Sequence, residues 1–229
     1  IAAPGAIVIK GKVHLFYQTY GNREKDAIIH AWSSDGVNFD RDPVPVFAPD
    51  PAVAKWSVGR AIDAEAFVVG DKLMLYYATR DPAFKVQKIG VASAPLRSGF
   101  KRGDFTNLNN DKSILEPELP WEGECIEASS IIRKNGKLYM FYAGAYNNSP
   151  QQIRVAVSAA GVEWTRLSEK PFLPNGPKGS WNSSESGHPG VFEYQGRTYL
   201  FFQGNNDRGK TWTLAATEIG WTKDGPFLK

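Results

Sequence analysis

The chain has one cysteine, Cys125, two methionines and three histidines in 229 residues. A single cysteine excludes an intrachain disulfide and any cysteine-based metal site. An excess of one charge is also missing. The 27 Lys and Arg against 24 Asp and Glu leave a formal +3, with both signs interspersed. That balance is too weak to argue for nucleic acid or an anionic membrane as a partner, and no nucleic acid is expected. No apolar run approaches the length of a membrane span, and no stretch keeps a helical period for a useful length. Low-complexity linkers are absent. No signal peptide is visible, yet the chain begins with Ile1 and not Met, so a mature or trimmed N-terminus is expected.

What the chain has instead is aromatic side chains and hairpins. Seven Trp, nine Tyr and thirteen Phe make up 13% of the residues, within a hydrophobic content of 42%. A globular core is therefore expected. Aromatic-rich clefts suit sugar rings, although core and rim packing accounts for most of these side chains. Four segments share one plan: "AIVIKGKVHLFYQT" from Ala6, "AFVVGDKLMLYYAT" from Ala66, "SIIRKNGKLYMFYAG" from Ser130 and "GVFEYQGRTYLFFQG" from Gly190. Each is an apolar strand, a short turn and an alternating strand that ends in paired aromatics, which is a hairpin signature. The turn anchors Gly11, Asp71, Gly136 and Gly196 recur at 60, 65 and 60 residues. A third strand follows in each unit, beginning polar and ending on Phe39, Phe100, Trp164 or Trp221, where a fourth strand is expected to start. Four strands in a repeat of about 60 residues make a propeller blade. The expected fold is a single all-β propeller over residues 1–229, with blade-like repeats at approximately 3–62, 63–125, 126–187 and 188–229.

The first strand of a propeller blade lies innermost, and its entry faces the central funnel. Alignment of the repeats puts Ala3, Asp63, Glu127 and His188 level, so two carboxylates and a histidine are expected to converge. Each has a plainer reading. Asp63 is also a fitting loop cap, Glu127 a solvated rim acid near Glu122 and Glu124, and His188 a hydrogen-bonded corner before Pro189. Glu65 alternates with Asp63, so one of the two points away from the entry, and the alignment selects Asp63. Glu185 reads more readily as a loop residue than as a funnel group. Trp56, Trp121 and Trp181 each precede a site strand by about six or seven residues and suit either a sugar platform or loop packing. Arg60 and Arg208 are candidate sugar-site cations, and Cys125 reads as a small buried residue.

At this point "EASSIIRKNGKLYMFY" resembles the acid-bearing blade of the five-bladed β-propeller glycoside hydrolases of family 43. "IDAEAFVVGDKLMLYY" is similar to the blade carrying that family's second aspartate, and "GHPGVFEYQGRTYLFF" to its late Gly-His blade. "KGKVHLFYQTYGN" is also similar to a strand of the family 32 fructan hydrolases. The resemblance covers nearly the whole chain. It implies Glu127 as general acid, Asp63 as the residue that orients it and tunes its pKa, and His188 as a lining of the deepest sugar subsite or a holder of a central ion or water. Two departures are clear: Asp63 is followed by Ala64 and not Pro, and Glu127 by Ala128-Ser129 and not Gly-Pro.

The family also needs an aspartate base on its first blade. Ala3 lies only one blade before Asp63, whereas the family's base lies about two blades before its second aspartate. The four repeats are therefore expected to be blades two to five, with the base upstream of Ile1. "HLFYQ" argues the other way, since family 32 carries that string in its first blade. Glycosidic cleavage needs a protonated acid, so Glu127 is expected to have a raised pKa through burial or the charge of Asp63, with Arg60 favouring ionised Asp63. The expected activity is hydrolysis of terminal or short-chain arabinofuranosyl or xylosyl bonds in plant-type oligosaccharide or polysaccharide. The alternatives are a family 32-like β-fructosidase and a non-catalytic sugar-binding propeller. No cofactor and no metal ligand set is assigned, and a structural calcium stays open. The resemblance favours a secreted or periplasmic location. The sequence does not give the oligomeric state.

Overall fold

Alternating strands and turn dipeptides give four antiparallel sheets, each strand pairing with its sequence neighbours. The computed structural model describes residues 2–229. The first sheet is β1 (Ala2–Ile9), β2 (Lys12–Gln18), β3 (Ile28–Ser33) and β4 (Asp40–Arg41). The second is β5 (Ile62–Val69), β6 (Lys72–Arg80), β7 (Gln87–Pro95) and β8 (Thr106–Asn107). The third is β9 (Ile126–Lys134), β10 (Lys137–Gly144), β11 (Gln152–Ser158) and β12 (Thr165–Arg166), and the fourth β13 (Glu185–Tyr194), β14 (Arg197–Asn205), β15 (Thr213–Thr222) and β16 (Gly225–Leu228). Among the described residues, helix is confined to two single turns, Arg23–Lys25 and Pro120–Glu122, and no helix is long and apolar enough to cross a membrane. The fold is all-β, of the propeller class, with four blades. The expected starts of the fourth strands hold in the first and third blades. In the second blade the strand begins six residues after Phe100, and in the fourth β15 runs through Trp221 before turning.

The hairpin turns follow from their residues. Lys10-Gly11, Asn135-Gly136 and Gln195-Gly196 have positive φ at both central positions, the type I′ pattern whose twist matches that of the strands. In the second blade only Gly70 is positive, which is the II′ pattern with glycine first.

Each first strand also carries a bulge. The pairing slips between Ala2 and Gly5, Ile62 and Glu65, Glu127 and Ser130, and Gly187 and Gly190. One residue in each bulge is left-handed: Ala3 at φ 46°, Asp63 at 51°, Ala128 at 52° and His188 at 46°. Non-glycine residues rarely adopt this conformation, and bulges of this kind re-aim side chains.

The chain divides into two compact units, Ile1–Glu116 and Pro117–Lys229. In the first, Phe16, Ile28, Leu73, Leu75, Tyr77 and Phe100 form the centre of one apolar core. There the carbonyl of Ala64 lies only 2.2 Å from where a Cβ on Gly5 would stand. Tyr77 lies over Gly90, its hydroxyl donating to Asn107 Oδ1 at 2.7 Å. In the second unit, Tyr139, Phe141, Ile153, Val155, Leu200 and Phe202 form the core. Beside it lies a buried ionic network. Arg154, 2% exposed, donates to Glu122 and Glu118 at 3.1 Å each. Tyr142 Oη donates to Glu122 at 3.0 Å and accepts from Arg166 Nε at 2.9 Å.

Candidate active site

In Pro117–Lys229 the site is built on the bulges of β9 and β13. Glu127 immediately precedes its bulge and is buried. Its Oε1 accepts from Gln151 Nε2 at 2.8 Å and lies 3.3 Å from His188 Nε2. Gln151, wholly buried just before β11, also donates to the carbonyl of Ala145 at 3.0 Å. Both partners are acceptors, which fixes the orientation of the amide. His188 is half-buried on the left-handed residue of the β13 bulge. Burial pushes the pKa of Glu127 up, but the hydrogen bond and charge of His188 and the hydrogen bond from Gln151 outweigh it, so the carboxyl is held below its usual value. The raised pKa expected for Glu127 is thus corrected. Together, the hydrogen bonds and the His188 charge favour the carboxylate more than burial disfavours it.

Glu185, by contrast, has a raised pKa. Burial is the main cause, with the Glu127 charge adding to it, against opposing hydrogen bonds from Gln203 and Asn148. Glu185 is not a loop residue. It is the fully buried first residue of β13, accepting from Gln203 Nε2 at 2.7 Å and Asn148 N at 2.8 Å.

In Ile1–Glu116 the counterpart is built on the bulge of β5. Asp63 is left-handed and half-buried, and its amide donates to Gln18 Oε1 at 2.6 Å. Arg60 is largely buried, with Nε 3.8 Å from Asp26 Oδ2 and Nη1 3.5 Å from Gln87 Oε1. Arg23, Arg60 and Arg80 all approach the ring of Phe84, at 5.3, 5.8 and 4.5 Å.

The bulges revise the alignment. Asp63 and His188 are level with Ala3 and Ala128, at the same 60-, 65- and 60-residue spacing as the turns. Glu127 stands one residue earlier, level with Ile62 and Gly187. A shift of one residue changes the direction of a side chain, and Glu127 is accordingly buried where Asp63 and His188 are half-exposed.

Of the other candidates, Trp56 packs on its unit's core and donates from Nε1 to Asn109 O at 2.8 Å. Trp121 donates to Glu169 O at 3.0 Å. Trp181 is 42% exposed, tilted against Phe202 at 5.8 Å and seated over Gly204. Arg208 is exposed, in the turn after β14. Sequence reasoning missed Gln151, Gln18 and Asp26. A signal existed: Asp26, Gln87 and Gln151 each stand two residues before Ile28, Ile89 and Ile153, which pair with the end of the second strand in their blades.

Residues 2–227 match the family model of glycosyl hydrolases family 43. Among solved structures, an α-L-arabinofuranosidase from Lactobacillus brevis is similar at TM-score 0.74 and 16% identity, over 99% of this chain and 74% of that one. A glycosyl hydrolase from Bacteroides ovatus gives 0.70 and 17%, over 99% and 68%. A family 32 β-fructofuranosidase from Bombyx mori gives 0.70 and 19%, over 99% of this chain but 47% of that one. No curated protein matches the chain in sequence. These structural likenesses carry the fold, and the family match covers nearly every residue. The chain belongs to glycosyl hydrolases family 43.

Proposed function

We propose that the chain hydrolyses terminal or short-chain arabinofuranosyl or xylosyl bonds of plant-type oligosaccharide or polysaccharide, with Glu127 as the general acid. The supporting observation is a buried carboxylate held by Gln151 and paired with a histidine on a left-handed bulge. Such a pair shares one proton between two atoms 3.3 Å apart. A sugar that displaces His188 from Glu127 removes the largest of the interactions that keep the acid ionised. Burial then favours the protonated form, ready to donate to a leaving oxygen. Asp63 is assigned as the second carboxylate of the reaction and His188 as a sugar contact. The base is assigned to a carboxylate outside these four bulges, since Ala3 offers no acid at its own. Acid and base do the chemistry, so the reading invokes no cofactor.

The test is a screen of aryl and alkyl arabinofuranosides, xylosides and fructosides with wild type and Glu127→Gln. An acid is needed least when the leaving group is already good. Glu127→Gln should therefore lose turnover on alkyl glycosides by about a hundredfold or more while keeping far more on dinitrophenyl glycosides. Equal loss on both would remove Glu127 from the acid role. Preference for fructosides would favour the β-fructosidase reading, and binding without turnover on every sugar the non-catalytic one.

A further inference from the structure

A second constellation lies in Ile1–Glu116, in the first blade and apart from its β5 bulge. Asp42 Oδ2 is 2.9 Å from His30 Nδ1, and His30 Nε2 is 2.9 Å from His14 Nδ1. The two imidazoles are coplanar within 7°, with centroids 5.2 Å apart. That separation is the N···N distance plus two ring radii, so the rings meet edge to edge through a hydrogen bond and are not stacked. His30 and Asp42 are buried, and Phe16 covers one face of His30 at 4.8 Å.

This arrangement fixes the protons. The Asp42 carboxylate only accepts and burial lowers the pKa of His30, so the neutral His30 carries its proton on Nδ1 and accepts at Nε2. His14 then donates from Nδ1, and its Nε2 keeps a lone pair. Burial, the largest cause, lowers the pKa of His14 to about 4, with the charge of Lys12 and any proton gained by His30 acting in the same direction. His14 is therefore neutral at pH 7, with Nε2 an acceptor.

His14, His30, Trp32 and Phe100 line a cavity of about 360 Å³ whose rim carries Lys10, Lys12, Arg97 and Lys101, with no acid among its described lining residues. It offers cations for an anionic group, an acceptor for a hydroxyl and indole surface for an apolar ring face. An oxyanion alone leaves the Nε2 acceptor and the indole unused, whereas a neutral sugar leaves four cations unused. We propose that this cavity binds an acidic saccharide, a sugar ring bearing a carboxylate or a phosphate.

The experiment is NMR of the imidazole nitrogens, tractable with three histidines and assigned with His14→Gln. Glucuronate, glucose 6-phosphate, glucose and inorganic phosphate are titrated separately. The expected result is a saturable shift of the His14 signals with an acidic sugar, weakened about tenfold or more by Arg97→Gln with Lys101→Gln. Both replaced side chains are exposed, so unchanged melting checks that the fold is intact. A response to glucuronate or to glucose 6-phosphate alone identifies the acidic group. No shift with any probe overturns the proposal. Equal affinity for glucose overturns the role of the cations, and equal affinity for inorganic phosphate the role of the sugar. None of these readouts depends on Glu127 or on turnover.

Discussion

The two units use one backbone device with opposite charges. In Ile1–Glu116 the amide of Ala61 donates to the carbonyl of Asp26 at 2.9 Å, and in Pro117–Lys229 the amide of Ser186 donates to the carbonyl of Gln151 at 3.0 Å. Two residues further on, each unit enters a bulge, with Asp63 or His188 left-handed. The residue before each amide is Arg60 in one unit and Glu185 in the other. Thus Arg60, Asp26 and Asp63 occupy the places that Glu185, Gln151 and His188 occupy in the second unit. The scaffold fixes where three side chains stand. Their identity alone decides whether the group is a cation beside a carboxylate or a carboxylate beside a histidine.

The most direct way to break this comparison is at the charged members of the second unit. Glu127→Gln should lower kcat on unactivated glycosides by about 10² to 10⁴. Glu185→Gln, at a carboxyl that accepts from Gln203 and Asn148, should cost less than tenfold in the same assay.

The next contrast is in packing. Tyr77 and Tyr142 hold equivalent places, but Tyr77 faces Gly90 and Tyr142 faces Arg154. Arg154→Met would leave Glu122, fully buried, without its cation. Denaturant melts should then show a loss of about 3–5 kcal/mol. Gly90→Ala would put a Cβ 2.4 Å from the Tyr77 ring, and overpacking of this kind costs about 1–3 kcal/mol.

Acid stability separates Glu127 from Glu185. The folded pKa of Glu127 is depressed, so its contribution is present above the unfolded value, about 4.5, and is lost as pH falls through the folded value. That of Glu185 is raised, so its contribution is present below about 4.5 and is lost as pH rises through the folded value. Melting temperature against pH should therefore fall less steeply on the acid side in Glu127→Gln, and decline less from pH 4.5 upward in Glu185→Gln. The smallest expected effect is at Ala128. Ala128→Gly relieves a left-handed alanine and should be neutral to stabilising by up to about 1 kcal/mol, detectable as a small rise in melting temperature.

The sequence made the hairpins legible because period-two alternation and turn dipeptides are local signals. The four first strands and their turns were readable for that reason. The bulges were not, since an extra left-handed residue leaves no mark in an apolar pattern. Asp63 and His188 were located by repeat spacing, whereas Glu127 was set level with them although it stands one residue early. Its burial, its partner Gln151 and the downward direction of its pKa all follow from that offset. Glu185 was read as a loop residue because "SSESG" is polar, yet it begins a strand. Its hydrogen-bond partners, Asn148 and Gln203, lie far along the chain, beyond the reach of any local pattern.

Gly5 bears no functional group, yet the carbonyl of Ala64, next to Asp63, occupies the space a side chain at position 5 would need. Any larger residue there must push back on the β5 bulge and turn Asp63 with it. Position 5 is thus a mould for a carboxylate fifty-eight residues downstream. A mutational survey restricted to charged residues would overlook it, and changing it would displace Asp63 in a chain whose polar groups were all intact.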